Sequence, residues 1–379
     1  MEQWTHIERI RTWAIVITDL GLATTAQEDP YRVHRIQCTM KAARLFAYDK
    51  PLRLVDAETP RLKNPADVIV RVTGAGVCHT DLHIVEGVWK EKVQVTLPYT
   101  LGHENAGIVE EVGPAATSVK KGEKVILHPV ITDGLCRACR IGEDMHCENL
   151  VFPGITADGG FAQFIRTSER SLVKLNELDP ADVAPLADAG LTAIRAVKKA
   201  ASRTTSGSNV VVQGVGGLGH IALQLLRCMT NAYITASDIA ESKLRLAEKM
   251  GAHRVIDARR DPVKQVMEIT KNQGAEVVID LVGNDQTLAN GMRMLRKGGS
   301  LIIVGYGGTA NLKAIDMIFS GYSVLGSLVG NWDELRELIE LTRQGKVRVL
   351  TQKGKLDEVN DMLDQLKKGT LEGRGVVIP

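Results

Sequence analysis

Cys78, in Cys78-His79-Thr80-Asp81-Leu82-His83, and His103, in Gly102-His103-Glu104, offer a thiolate and an imidazole among further polar groups. Such a pair suits a zinc ion that keeps one coordination position open for chemistry. A third protein ligand is needed. Asp188, in Pro185-Leu186-Ala187-Asp188-Ala189-Gly190, is the leading choice because it lies at the junction of two differently patterned regions. One thiolate plus one carboxylate balances the charge of Zn²⁺, and the oxygen donor returns less charge to the metal than a second sulfur would. Glu104 is either a further ligand or a neighbouring carboxylate that assists exchange of the fourth. Cys78 alone would read as core; its company makes it a ligand.

A second donor set follows at Asp133, Cys136, Cys139 and Cys147. Three thiolates so spaced imply a tetrahedral structural zinc. Asp133 is its fourth ligand or an ordinary loop carboxylate. Two zinc ions per subunit are therefore expected, one catalytic and one structural.

Gly214-Val215-Gly216-Gly217-Leu218-Gly219 follows an apolar strand and opens a helix. In such a turn Gly214 permits the tight bend, Gly216 lets the backbone approach a pyrophosphate, and Gly219 allows the helix to pack on the strand. A ligand-free glycine turn is the competing reading, and Asp238 at the end of the next strand weighs against it. An acid there accepts from a ribose 2′-hydroxyl and repels a 2′-phosphate, which favours NAD over NADP. Lys243 either reaches the same ribose or sits on a helix surface. A Lewis acid and a dinucleotide site in one chain point to hydride transfer.

The elements that must position these groups fall into two regions. From about 40 to 175 the chain is β-rich and glycine-punctuated, with strands expected at 41–46, 67–72, 106–112 and 123–127. This reads as a partly closed barrel with long functional loops. From about 190, strands at 210–212, 233–238, 254–256, 276–280, 301–304 and 323–325 alternate with helices. That rhythm means a doubly wound parallel sheet covered on both faces. The tail from about 327 carries a helix at Trp332 to Arg343 and is expected to return to the first region. Residues 1–39 show no sustained periodicity and read as an extension, or as sequence preceding a natural start at Met40.

A chain of 379 residues exceeds one comfortable core, and 44% hydrophobic with 24% charged residues is ordinary for a globular protein. A net charge of +2 and 4% aromatics argue against nucleic-acid binding. No apolar run approaches the roughly 20 residues of a membrane span. The run from Trp13 to Ile17 is too short for a secretory signal. Cysteines clustered at metal spacing, rather than spread as a disulfide framework, suit a cytoplasmic setting.

With these motifs in this order, and Gly373-Arg374 closing the chain, residues 40–379 resemble the zinc-dependent medium-chain alcohol dehydrogenases, above all the tetrameric thermophilic NAD-dependent members. The resemblance implies a GroES-like catalytic domain at 40–188 and 327–379, and a Rossmann NAD-binding domain at 189–326. It further implies that Thr80 receives the substrate proton, that His83 passes it to solvent, and that Asp81 orients His103. His79 and Arg374 fall at pyrophosphate-contacting positions, Thr192 near the nicotinamide, and Gly305 beside the cofactor ring. Asp188 and Asp133 depart from the family's commoner cysteines. Trp89 walls the substrate pocket or packs the loop.

The implied reaction moves a hydride from a primary or secondary alcohol to NAD, giving an aldehyde or ketone. A polyol, sugar or threonine dehydrogenase on the same scaffold is the alternative. Zinc-free quinone reductases lack the cysteine clusters. A non-catalytic zinc- and NAD-binding redox sensor would have no use for the Thr80–His83 path. The resemblance also implies a homo-oligomer, a dimer or tetramer, and an apolar edge strand near 301–304 or 323–328 could pair across it.

Overall fold

Alternating apolar residues set the strands of the β-rich region. The computed structural model describes residues 39–379 apart from Lys92, Gln94 and Glu372, so the expected extension lies, but for Thr39, outside the described residues. The strands here are β1 (Thr39–Leu45), β2 (Arg53–Glu58), β3 (Asp67–Val77), β4 (Tyr99–Thr100), β5 (Glu104–Val112), β6 (Lys124–Leu127), β7 (Phe164–Ser168) and β8 (Leu172–Lys174). β1 pairs antiparallel with β2 on one side and β4 on the other. Leu45, Val68, Val70, Val109, Leu127 and Phe161 fill the core between this sheet and the next.

The second half begins with β9 (Asn209–Gln213), β10 (Tyr233–Asp238), β11 (Arg254–Asp257), β12 (Ala275–Asp280), β13 (Leu295–Ile303) and β14 (Ser323–Gly326). They form a parallel sheet in the order β11-β10-β9-β12-β13-β14, as the alternating rhythm predicts. Val210, Val212, Val277 and Ile279 face one apolar cluster, whereas Val211 and Val278 face another. Side chains alternate across a strand, so both faces of the sheet are buried.

The tail then crosses back. β15 (Thr351–Lys355) and β16 (Arg374–Ile378) complete a second antiparallel-dominated sheet, ordered β15-β16-β3-β5-β6-β8, with β7 also on β3. Of the two segments expected to offer an edge, 323–328 does and 301–304 does not. The apolar segment 301–304 is not an edge, because β13 pairs with both β12 and β14. Apolar composition marks a buried parallel strand wherever it lies in the order, so edge position was not readable from it. β14 is the edge. Among the described residues, no helix is long and apolar enough to cross a membrane.

Candidate active site

The helix His79–Val85 starts on Cys78 through a reciprocal cap, in which the Cys78 N–H donates to Asp81 Oδ2 at 2.9 Å. The other Asp81 oxygen lies 3.3 Å from His103 Nδ1, and both side chains are fully buried. One carboxylate thus fixes the thiol-bearing turn and orients the imidazole. His103 Nε2 faces Asp188 Oδ2 at 3.4 Å without a hydrogen-bond partner of its own. Burial pulls the imidazole toward the neutral form, but Asp81, Asp188 and Cys78 together hold its pKa well above the ordinary value.

Asp188 opens the helix Ala189–Ala201, whose alanines favour helix and whose last turn carries Lys198 and Lys199 against the dipole. Leu191, Ile194 and Val197 anchor it in the core. Thr192 Oγ1 donates to Asp188 Oδ1 at 3.2 Å, so this hydroxyl steers the carboxylate from one turn along. Burial raises the Asp188 pKa, but His103, Arg374 and Thr192 outweigh it and keep the group ionised.

Ligand-type atoms of Cys78, His103, Glu104 and Asp188 all lie within 4.8 Å of one another. A sulfur, an unpartnered ring nitrogen and carboxylate oxygens in a buried space are costly without a cation. That donor set fits zinc. Glu104 Oε1 accepts from the Ala189 N–H and from Arg374, whereas Oε2 has no partner. Burial raises the Glu104 pKa and Arg374 opposes it. Room for this carboxylate comes from Gly76 on the adjacent strand, where a Cβ would stand 2.0 Å from Glu104 Oε2.

The second cluster joins Asp133, Cys136, Cys139 and Cys147 within the same spacing. Asp133 Oδ1 accepts from the Leu135 and Cys136 N–H groups, and Oδ2 from Asn149 at 2.7 Å. Those bonds, Asn149 first, hold the carboxyl well below the usual range. Burial, with Cys136 and Cys147 nearby, pushes the Cys139 thiol up to about 12. Backbone N–H groups hold the Cys136 thiol below its usual value, and a crowded thiol that resists ionisation, as at Cys139, is what a dication relieves.

At the dinucleotide turn, Gly214 has φ +92°, and a Cβ on Gly219 would lie 2.1 Å from the Gly214 carbonyl oxygen. A Cβ on Gly216 would meet nothing within 4 Å, so packing does not demand this glycine and an open cradle remains above it. That opening fits a pyrophosphate. Arg374 comes over from β16 to the same turn, within 2.5 Å of where a Gly217 Cβ would be. Leu218 precedes the helix Gly219–Met229. Asp238 Oδ2 accepts from the Val215 N–H at 2.8 Å, tying the turn to the neighbouring strand end. Lys243 is half-buried on the helix Glu241–Lys249.

Thr80 is buried, and its hydroxyl is 2.8 Å from Tyr306 Oη, in the loop after β13. His83 lies one turn along, half-buried, with Nδ1 unpartnered. His79, at the start of the helix, is exposed. Gly305 lies against Val282 and Gly283, with no space for a side chain. Tyr306 stacks tilted on Trp89 at 5.2 Å, and about half of its surface is exposed.

Sequence reasoning missed three parts of this region. The Thr80–Tyr306 bond is one. The Arg195 bridge to Glu334, at 3.1 Å, and to Glu143 in the cysteine lobe is another. Asp144 is the third: it accepts from Arg170 and from the Trp332 N–H. Only the clustered charge around the cysteines hinted at the last two.

Comparison with known proteins follows the same division. Residues 64–177 match the model of the alcohol dehydrogenase GroES-like domain, and 217–344 that of a zinc-binding dehydrogenase. The chain is 37% identical over 348 residues to a Sulfolobus acidocaldarius NAD-dependent alcohol dehydrogenase, spanning 89% of this chain and 99% of that one. It is also 37% identical to a Saccharolobus solfataricus D-arabinose 1-dehydrogenase (NADP(+)), over 89% of this chain and 97% of the relative. The crystal structure of the alcohol dehydrogenase from Aeropyrum pernix superimposes with a TM-score of 0.87 and 57% identity, covering 89% of this chain and 100% of that chain.

Proposed function

This chain belongs to the zinc-dependent medium-chain alcohol dehydrogenase family, and we propose that Cys78, His103 and Asp188 hold its catalytic zinc while Thr80 and His83 carry the substrate proton. It is an NAD-dependent enzyme acting on alcohols; a zinc held by Cys78, His103 and Asp188 would supply Lewis acidity at the substrate hydroxyl, and NAD in the glycine turn would supply the hydride acceptor, for an aldehyde or ketone product. The observation that carries the assignment is the buried convergence of Cys78, His103, Glu104 and Asp188, with His103 Nε2 left free of any hydrogen bond.

Asp81 and Thr192 orient two of these ligands through the contacts described above. Glu104, tethered by Arg374 and the Ala189 N–H, is the carboxylate that assists ligand exchange. Thr80 takes the proton leaving the alcohol, and His83 passes it outward. The turn Gly214, Gly216, Gly217, Leu218 and Gly219 cradles the pyrophosphate, with Arg374 as its cationic partner and His79 as its polar one. Thr192 and Gly305 flank the nicotinamide, and Asp238 with Lys243 receives the adenosine ribose. Asp133, Cys136, Cys139 and Cys147 hold the structural zinc. Sheet membership supports a catalytic domain at 40–188 and 327–379 and a cofactor domain at 189–326. Free thiols at Cys78, Cys136, Cys139, Cys147 and Cys228 support a reducing, cytoplasmic setting.

The test is NADH formation with primary, secondary and cyclic alcohols, polyols and pentoses, before and after chelation and zinc restoration. Turnover with simple alcohols, lost on chelation and regained with zinc, is the expected result. Turnover confined to pentoses would favour the sugar reading, which the D-arabinose 1-dehydrogenase relative supports. Silence throughout, with zinc and NAD bound, would favour the redox sensor and overturn the assignment.

A homo-oligomer, dimer or tetramer, completes the proposal. Among the described residues β14 has an unpaired edge, and beside it the helix Ala314–Ser320 has no buried residue. Ile318 and Phe319 are 76% and 78% exposed, and Leu312, Ile315 and Leu328 extend the apolar surface. Such a face needs a partner. Phe319→Glu is expected to shift the protein toward monomer in light-scattering measurements. An unchanged mass would move the interface elsewhere.

A further inference from the structure

Thr80 has one hydroxyl, and a side chain from the cofactor-binding half already holds it. Tyr306 Oη lies 2.8 Å from Thr80 Oγ1, across 226 residues of sequence. The tyrosine is 49% exposed, and its contacts orient the hydroxyl inward. Its ring sits 5.2 Å from Trp89 and 5.6 Å from His83, tilted against both. Its loop is pinned on either side: Gly305 packs on the Val282–Gly283 backbone, and the Gly308 N–H donates to the Gly283 carbonyl at 2.8 Å. Thr80 is itself 8% exposed, so its hydroxyl has few open directions.

We propose that Tyr306 is a positioning residue, a latch whose phenol occupies the Thr80 hydroxyl until an alcohol displaces it. This rests on the assignment of Thr80 to the proton path. A hydroxyl carries one hydrogen and two lone pairs. An alcohol that hands its proton to Thr80 needs that oxygen, and the threonine hydrogen must turn outward toward His83. The phenol takes up one of these three capacities, the hydrogen if Thr80 donates or a lone pair if Tyr306 donates, on a hydroxyl whose burial leaves few open directions. Binding therefore exchanges a protein–protein hydrogen bond for a protein–substrate one, and the apparent affinity for every alcohol is lowered by the bond given up. Once displaced, the phenol takes no part in the chemical step, so turnover is untouched. Substrates are admitted against a threshold that the tyrosine sets.

Tyr306→Phe keeps the ring, its packing and the loop, and removes only the hydroxyl. KM for simple alcohols is expected to fall about fivefold with kcat within about twofold of the parent, the magnitude of one net hydrogen bond. Trifluoroethanol, which resists oxidation, should bind about fivefold more tightly to the zinc- and NAD-loaded protein, followed by tryptophan fluorescence beside Trp89. A thermal melt of the same variant checks that the fold is intact. An unchanged KM and trifluoroethanol affinity would overturn the latch. A raised KM would overturn it too, because the phenol would then be assisting the substrate. If the parent oxidises no alcohol, the dehydrogenase assignment itself fails; if it does and only the Tyr306→Phe shift is missing, this inference alone falls.

Discussion

Asp188→Ala is expected to take bound zinc from two ions per chain to about one, and to cut kcat/KM by about a thousandfold or more. The two donor clusters share no residue, so the loss should be confined to one of them. Asp188 contributes a charge as well as an oxygen. As a proposed ligand it would, with the Cys78 thiolate, neutralise the dication in a space where His103 is fully buried. Removing it leaves one thiolate and one imidazole, too little charge and too few donors for tight binding. Thr192 also loses the carboxylate it steers. Asp188→Asn, which keeps the shape and the hydroxyl contact but not the charge, should fall between alanine and parent. Metal content by elemental analysis, read beside the kinetics, decides the matter. Two zinc ions and unchanged turnover in the alanine variant would remove Asp188 from the ligand set.

The second large effect is on stability. Arg195→Ala is expected to cost about 3 kcal/mol and to lower the melting temperature by roughly 5 °C, with both zinc ions retained. Arg195 is 9% exposed and lies in the same helix as Thr192. It bridges Glu334, which is 7% exposed, and Glu143, which sits between the structural-zinc cysteines and is more open to solvent. Truncation strands the Glu334 carboxylate, and an uncompensated buried charge costs more than the intact pair contributes. Glu334 retains its Asn331 N–H bond, which places the expected cost at the low end of the usual range. Calorimetry or circular dichroism gives the shift directly. A melting temperature within about 1 °C of the parent would mean that Glu334 is solvated once the arginine is gone.

Legibility in the sequence followed how local each feature is. The cysteine lobe was readable because four donors fall within one loop, and tetrahedral zinc demands such closeness. The glycine turn was readable for the same reason, with strand and helix on either side giving it context. The parallel sheet was carried by buried apolar runs, and the strand at Tyr233–Asp238 agrees to the residue. Asp188 was reachable only because it stands where the pattern changes. The Thr80–Tyr306 bond was not legible: it joins positions 226 residues apart, and neither residue type announces the other. Gly76 reads as an ordinary strand glycine until Glu104 is seen to fill the space where its side chain would be. Arg195, Glu143 and Glu334 look like solvated helix and loop charges, and only tertiary packing turns them inward. That the edge is 323–328 rather than 301–304 was not readable for the same reason, since composition reports burial and not order within a sheet.

β16 lies between β15 and β3, and its Arg374 meets Glu104 from 270 residues away. For the nascent chain this sets a timetable. At about 5–20 residues per second, the ribosome needs roughly a quarter of a minute to a minute between making that glutamate and making its counterion. Throughout that interval β3 presents an open flank, and Glu104 in β5 lacks the arginine that meets its buried carboxylate. The parallel sheet, complete by residue 326, can be folded and waiting. The early β-strands cannot close, so in the cell they are the portion most exposed to chaperones and to misassociation with neighbouring nascent chains.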